Sequence, residues 1–399
     1  MTTPGRRRPY PRVRASPVAA RVLAVAVLLA AGCDPAPSEP APPVAAPLSL
    51  PWQVVELPVP PGAPGRVMLR DVTFCPGHWF AVGAVADVKG GTRPAAWSSP
   101  DAVTWSALPI EAKTYYGDQN ILATVACRDG RMAAVGAKVG GAHGNPRTSS
   151  WYQTPAGALR EVTAPFELYG GPQAINVTRL HAGPAGWLIT GNRMSGAAAW
   201  LSPDAATFAI KERAPGLASS AAGETWAFDG TPADDGWLIV GGWLPSGRID
   251  RDVAGWRSVD GAVWTPVPAA EPTSDYEELQ RVVTADVPVA LGVRGGKFGA
   301  WRLESGSWRP AGTFGTVPPG GKAGVRSLSG ALLAATTDGS AYSVWSSSDG
   351  GRKWLPVVMP EPTVIGGEGA VAVAAGAGHW VVAVDNARDA LIYLTETPG

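Results

Sequence analysis

From residue 66 onward, apolar and polar residues alternate in short bursts separated by Gly, Pro, Asn and Asp. One kind of burst is compact, as in RDVTFC (70–75) and QRVVTA (280–285). A second follows it and often opens on an aromatic or histidine: HWFAVGAV (78–85), GWLITG (186–191), GWLIVGGW (236–243), HWVVAV (379–384). A third carries a leading aromatic, and a fourth runs from a turn into proline, as in TWSALP (104–109) and RKWLPVVMP (352–360). A period of two, many β-branched residues and Gly/Pro punctuation predict strands throughout. No stretch shows a convincing helical period.

The four bursts recur as a unit. The leading aromatics fall at 97, 151, 200, 256, 301, 345 and 393, so the unit repeats every 44 to 56 residues. Such a period marks the blades of a β-propeller. The seventh unit supplies three strands before Gly399, and its fourth stands at the other end of the chain. Trp52-Gln-Val-Val-Glu-Leu-Pro58 matches Trp354-Leu-Pro-Val-Val-Met-Pro360 in its Trp-to-Pro spacing. The expectation is an all-β, seven-bladed β-propeller over residues 51–399, built of four-stranded antiparallel blades. The N-terminal strand pairs into the last blade, so no open sheet edge is left at the seam.

Between the third and fourth strands stands a recurrent motif. Ser347-x-Asp349-x-Gly351-x-x-Trp354 is echoed around Asp101 (Trp97 to Trp105), Asp204 (Trp200 to Phe208) and Asp260 (Trp256 to Trp264). Its spacing resembles the Asp box (BNR repeat) of sialidases and other bacterial β-propeller proteins. In such a turn the carboxylate accepts backbone N–H groups a few residues on, and the aromatics bury their faces against adjoining strands. Four separated carboxylates cannot share one active site, so Asp101, Asp204, Asp260 and Asp349 read as structural. The resemblance implies a propeller and leaves activity open, since its members include sialidases, polysaccharide-cleaving glycosidases and non-enzymatic scaffolds. Arg70-Asp71-Val72 stands where sialidases carry Arg-Ile-Pro, a departure that argues against sialidase chemistry.

Ahead of the repeats the chain changes character. Residues 1–32 hold six arginines, no acid and an uncharged apolar run from Val22 to Ala31, which suits a signal peptide rather than a membrane span. Leu29-Ala-Ala-Gly-Cys33 resembles a bacterial lipobox, which implies cleavage before Cys33 and lipidation of its thiol. A plain secretory signal is the alternative, and Sec or twin-arginine export both remain open. Residues 33–50, rich in Pro and Ala, read as a tether. The expected protein is an exported monomer, held on the outer face of the cytoplasmic membrane by its lipid alone. Without the six leading arginines, 27 basic residues face 33 acidic ones, a balance with no hint of nucleic-acid binding.

Candidate chemistry is sparse. Aligning the first strands sets Arg70, Arg179, Arg281 and Arg326 at one position, with Glu224 in the fourth blade. Such a ring either binds a carboxylate, sulfate or phosphate or braces neighbouring blades. Long loops at 111–120, 138–147, 167–176, 245–252 and 271–280 are expected on one face and carry Tyr115, Tyr116, Tyr169 and Tyr276. Tyrosines among polar groups suit recognition of sugars or proteins; variable solvated loops are the alternative. Glu277, Glu278, Asp118 and Asp250 are the candidate acid/base residues for glycoside cleavage. Cys75 and Cys127 end the first strands of two neighbouring blades, as a disulfide or as two thiols. His78, His143, His181 and His379 do not cluster at metal spacing, and no cofactor motif appears. The leading expectation is a lipid-anchored binding or scaffold propeller that recognises a glycan, peptide or envelope protein at the channel mouth. A surface glycosidase acting on an acidic sugar is the rival, and a purely structural envelope protein is a third reading.

Overall fold

The computed structural model describes residues 46–398, apart from 141–144, 272, 321 and 365–368. The lipobox, most of the tether and His143 therefore lie outside the described residues. Seven antiparallel sheets form a closed seven-bladed β-propeller. Blade 1 runs from the axis outward as Arg66–Cys75, His78–Ala86, Thr92–Ser99 and Ser106–Ala107. The innermost strands of blades 2 to 7 are Ile121–Arg128, Ala174–Gly183, Gly223–Ala233, Glu277–Thr284, Gly324–Leu328 and Ala370–Gly376. The N-terminal strand Gln53–Glu56 closes blade 7, with Val54 opposite Tyr393 and Val55 opposite Ile392.

Strand pairing begins before residue 51. Leu48 and Ser49 pair in parallel with Val357 and Val358 at the edge of blade 6. Leu48, Leu50 and Trp52 pack on the apolar cluster between blades 6 and 7. Residues 48–52 therefore belong to the folded propeller, held by apolar contact despite their Pro/Ala-rich surroundings. Each of the seven blade-to-blade interfaces holds one such cluster. The aromatics that lead the third strands, Trp97, Trp151, Trp200, Trp256, Trp301 and Tyr393, are buried in them, and Trp345 is half-buried.

The four repeated carboxylates hold turns. Asp101 Oδ1 accepts the N–H groups of Val103 and Thr104 at 2.8 and 2.6 Å, and Asp204 Oδ1 those of Ala206 and Thr207 at 2.9 and 2.8 Å. Asp260 does the same for Ala262 and Val263 at 2.8 and 3.3 Å. In the last turn the donors lie one residue further on: Asp349 takes Arg352 and Lys353 at 3.0 and 2.8 Å. Ser99, Ser202, Ser258 and Ser347 each donate to the carboxylate two residues on, at 2.9 to 3.3 Å. Hydrogen bonds to the charged form push Asp101 down to about 2, its backbone donors leading.

Six of the seven inner strands carry a β-bulge at the same place, where Arg70, Ala123, Thr178, Phe228, Gln280 and Arg326 are the extra residues that shift the register. The bulge turns a carbonyl toward the second strand, where a glycine stands opposite. A Cβ at Gly83, Gly241 or Gly292 would collide with the carbonyl oxygen of Met68, Trp226 or Glu278. The glycine in AVGAV, LIVGG and VALGV is therefore the trace that the bulge leaves in the sequence.

Candidate functional site

The bulge divides the supposed arginine ring. Arg70 and Arg326 are themselves bulge residues, whereas Arg179 and Arg281 lie one residue further along. That next position is held in the other bulged blades by Asp71, Thr124, Asp229 and Ser327. Glu224 lies nearer its strand's start, opposite Leu244, and is exposed. An alignment by residue type alone hides the inserted residue, so the four arginines do not form one ring.

The position after the bulge works as a latch between blades. Asp71 accepts the Val125 N–H of blade 2 at 3.0 Å, and Thr124 accepts Leu180 N–H of blade 3 at 3.4 Å. Asp229 accepts Val282 N–H of blade 5 at 2.9 Å, and Ser327 accepts Val373 N–H of blade 7 at 3.1 Å. A guanidinium has no acceptor, so blades 3 and 5 cannot make this bond. Their arginines turn to the axis instead. Arg179 Nη2 lies 3.1 Å from Asp71, and its Nε lies 3.8 Å from Asp229. Burial opposes its charge, yet Asp71 and then Asp229 outweigh that and hold it above the usual range.

Arg281 has no such partner. It donates through Nε to Arg326 O at 2.9 Å and through Nη1 to Gln280 O, and no carboxylate among the described residues pairs with it. Burial first, and then repulsion from Arg179, push it down to about 10. His181 stands beside this group, its Nε2 3.3 Å from Asp229 Oδ1 but out of line for a hydrogen bond. Burial pushes His181 down to about 4 against the pull of Asp229, so the ring is neutral at pH 7.

These side chains line an axial cavity of about 340 Å3. Its walls are the second halves of all seven inner strands, with hydroxyls from Thr73, Thr231 and Ser329. The cavity therefore lies toward the face of the first hairpin turns, opposite the long loops. Cys127 on its wall forms a disulfide with Cys75, their Cα atoms 5.9 Å apart, joining the inner strands of blades 1 and 2.

The loop face is dispersed. Tyr115 is 75% exposed and meets Tyr116 edge-on at 5.3 Å. Tyr169 is not on a projecting loop: the one-turn helix Phe166–Tyr169 folds it into the core, where its hydroxyl donates to Ser150 at 3.0 Å. Tyr276 donates to Glu278 at 2.7 Å, and Arg251 reaches the same carboxylate at 2.8 Å. Burial, then the Glu278 charge, raise the Tyr276 hydroxyl well above its usual range. Arg70 and Arg66 both bind the fully buried Asp385, at 2.6 and 2.7 Å, and the exposed Arg326 donates to Lys322 O at 3.0 Å.

The acid/base candidates do not converge. Glu277 is buried with Arg294 2.9 Å away, and burial raises it. Asp118 is exposed in the short 3-10 helix Gly117–Gln119, whereas Asp250 lies in the loop before Asp252–Ser258 of blade 4. His78 is exposed, and the His379 ring bonds Ala377 O at 3.0 Å in a turn. Among the described residues there is no cluster of metal-ligating side chains, and no helix long and apolar enough to cross a membrane.

Fold and site together define a closed seven-bladed propeller with a charged axial cavity. No protein-family model matches the chain, and no curated protein is similar to it in sequence. Among solved structures, a chain of the Mitotic Checkpoint Complex is similar at 13% identity and a TM-score of 0.44, covering 95% of this chain and 100% of that one. The β-propeller domain of the Trilobed protease from Pyrococcus furiosus is similar at 10% and 0.42, covering 83% and 93%. The Bombyx mori GH32 beta-fructofuranosidase BmSUC1 is similar at 9% and 0.36, covering 82% and 90%. Likeness at this distance says nothing of activity.

Proposed function

We propose that the protein is a binding propeller, carried outside the cell on a lipid at Cys33, that holds a small anionic group in its axial cavity. The observation that carries this reading is Arg281, a desolvated cation on the cavity wall with no carboxylate partner among the described residues. The carboxylates beside it are already engaged, Asp71 and Asp229 by backbone N–H groups and by Arg179. A carboxylate or phosphate group entering the cavity would meet Arg281 directly, with neutral His181 and the Ser329 hydroxyl as further partners. The anionic group belongs to a glycan, a peptide or the terminus of an envelope protein.

Glycoside cleavage needs two carboxyl groups facing one bond, one protonated as an acid and one free as base or nucleophile. Asp71 and Asp229 are instead taken up by backbone N–H groups and by Arg179, which favours binding over hydrolysis. The test is calorimetric titration of the chain lacking residues 1–33 with succinate, inorganic phosphate and acidic oligosaccharides, with mass spectrometry following bond cleavage. Binding that weakens at least about tenfold in Arg281→Gln, without turnover, is the expected result. Turnover lost in Asp71→Asn or Asp229→Asn makes the protein a glycosidase, and titrations unchanged by Arg281→Gln reject the axial site.

A further inference from the structure

Two arginines on the loop face lie against aromatic rings, and they differ in one respect. The Arg251 guanidinium carbon lies 4.9 Å from the Trp226 ring and 5.8 Å from Phe228, and its charge is met by Glu278 at 2.8 Å. Arg147 lies between Phe166 at 4.5 Å and Tyr116 at 5.4 Å, and no carboxylate among the described residues pairs with it. Its Nε is buried without a hydrogen-bond partner. Glu161, which lines the same pocket, is saturated by the N–H groups of Lys113 and Thr114 and by the hydroxyls of Thr114 and Ser149, at 2.7 to 2.9 Å.

The cage is built rather than incidental. A Cβ at Gly140 would press on the Tyr116 ring, and one at Gly170 would collide with Phe166, so two glycines make room for the rings that flank the cation. Beside them lies a pocket of about 180 Å3, lined by Thr114, Tyr116, Arg147, Thr148, Glu161 and Phe166. On its wall Phe166 is 53% exposed, and Tyr115, edge-on to the lining Tyr116, is 75% exposed.

We infer that this pocket, between blades 2 and 3 on the loop face and separate from the axial cavity, binds a hexuronate residue of an acidic saccharide. The ligand's carboxylate takes the place that Glu278 occupies beside Arg251 and meets the planar fork of Arg147. Its C–H face rests on the exposed rings, and the Thr148 hydroxyl reaches one of its hydroxyl groups. The pocket's small volume suits one ring rather than an extended chain.

The experiment is titration of the full chain with glucuronate, glucose and acetate, followed by ligand-observed NMR. Glucuronate binds, and glucose and acetate each bind at least about tenfold more weakly, because each supplies only part of the contact. Arg147→Gln loses about tenfold or more in glucuronate affinity, and Arg147→Lys loses nearly as much, since it keeps the charge without the fork. Tyr115→Ala, at an exposed position that folding does not need, weakens binding several-fold. Inorganic phosphate, which has no sugar face, reads the axial site through Arg281→Gln, and glucuronate reads this pocket through Arg147→Gln, so failure here is distinguishable from failure of the axial site. Absence of glucuronate binding, acetate binding as tight as glucuronate, or affinity retained in both Arg147 variants overturns the proposal.

Discussion

Blades 1 and 3 share a bulged inner strand, and differ in the residue just after the bulge. Blade 1 has Asp71, which accepts a backbone N–H of the next blade; blade 3 has Arg179, which cannot. Blades 4 and 5 repeat the contrast with Asp229 and Arg281. The lesson is that one position serves either as mortar between blades or as a charge presented to the axis, depending on whether its side chain accepts or only donates. Arg179 is neutralised by the two aspartates, so of the two presented charges only Arg281 is left for a ligand.

The largest break in this comparison is Asp71→Ala. It deletes the latch to Val125 and leaves Arg179 with less compensation, so a loss of about 3–5 kcal/mol is expected in denaturant unfolding. A loss under about 1 kcal/mol would show that the latch is ornamental. Next comes the disulfide across the same two blades. Cys75→Ser with Cys127→Ser opens a loop of 52 residues and costs about 2–4 kcal/mol on the chain-entropy account. If latch and disulfide restrain the same interface, the triple variant loses less than the two effects added together.

The paired and unpaired arginines sharpen the contrast further. Arg179→Met costs about 2 kcal/mol, because two buried aspartates lose their counter-charge. Arg281→Met stays within about 1 kcal/mol of the parent or gains stability, since its charge is desolvated with no paired carboxylate among the described residues. Equal losses would erase the distinction drawn between them.

A last test is pH dependence. His181 titrates near 4 when folded against 6.5 as a free side chain, so the unfolded chain takes up its proton first. Its contribution to stability is complete above pH 6.5 and falls as pH drops toward 4. Asp101, lowered from 3.8 to about 2, contributes fully above pH 4 and loses its contribution as pH drops toward 2. Unfolding midpoints measured against pH should flatten in the upper window for His181→Phe and in the lower one for Asp101→Asn. An anion bound beside His181 would raise its pKa and narrow the upper window, a second readout of axial binding.

The fold was legible because a propeller repeats. Seven aromatics at blade spacing and a stray Trp-to-Pro strand at the other end are enough to count blades and close the circle. The site was not legible in the same way. Residue-type alignment put four arginines in register, but the bulge inserts one residue and separates Arg70 and Arg326 from Arg179 and Arg281. The recurrent glycine of the second strand was the available clue. Pairings such as Arg179 with Asp71, 108 residues apart, follow from geometry across the axis that no local pattern encodes. Tyr169 was misplaced because a one-turn helix is too short to show a period.

The seam of the ring also sets an order in time. Val54 finds its partner only at Tyr393, and Trp52 Nε1 bonds Val358 O across 306 residues of chain. Because synthesis runs from the N-terminus, the strand Gln53–Glu56 must wait, unpaired, until the last blade has been made. Six blades can assemble while the clasp hangs open, and the molecule becomes a ring only when the two ends of the folded region meet.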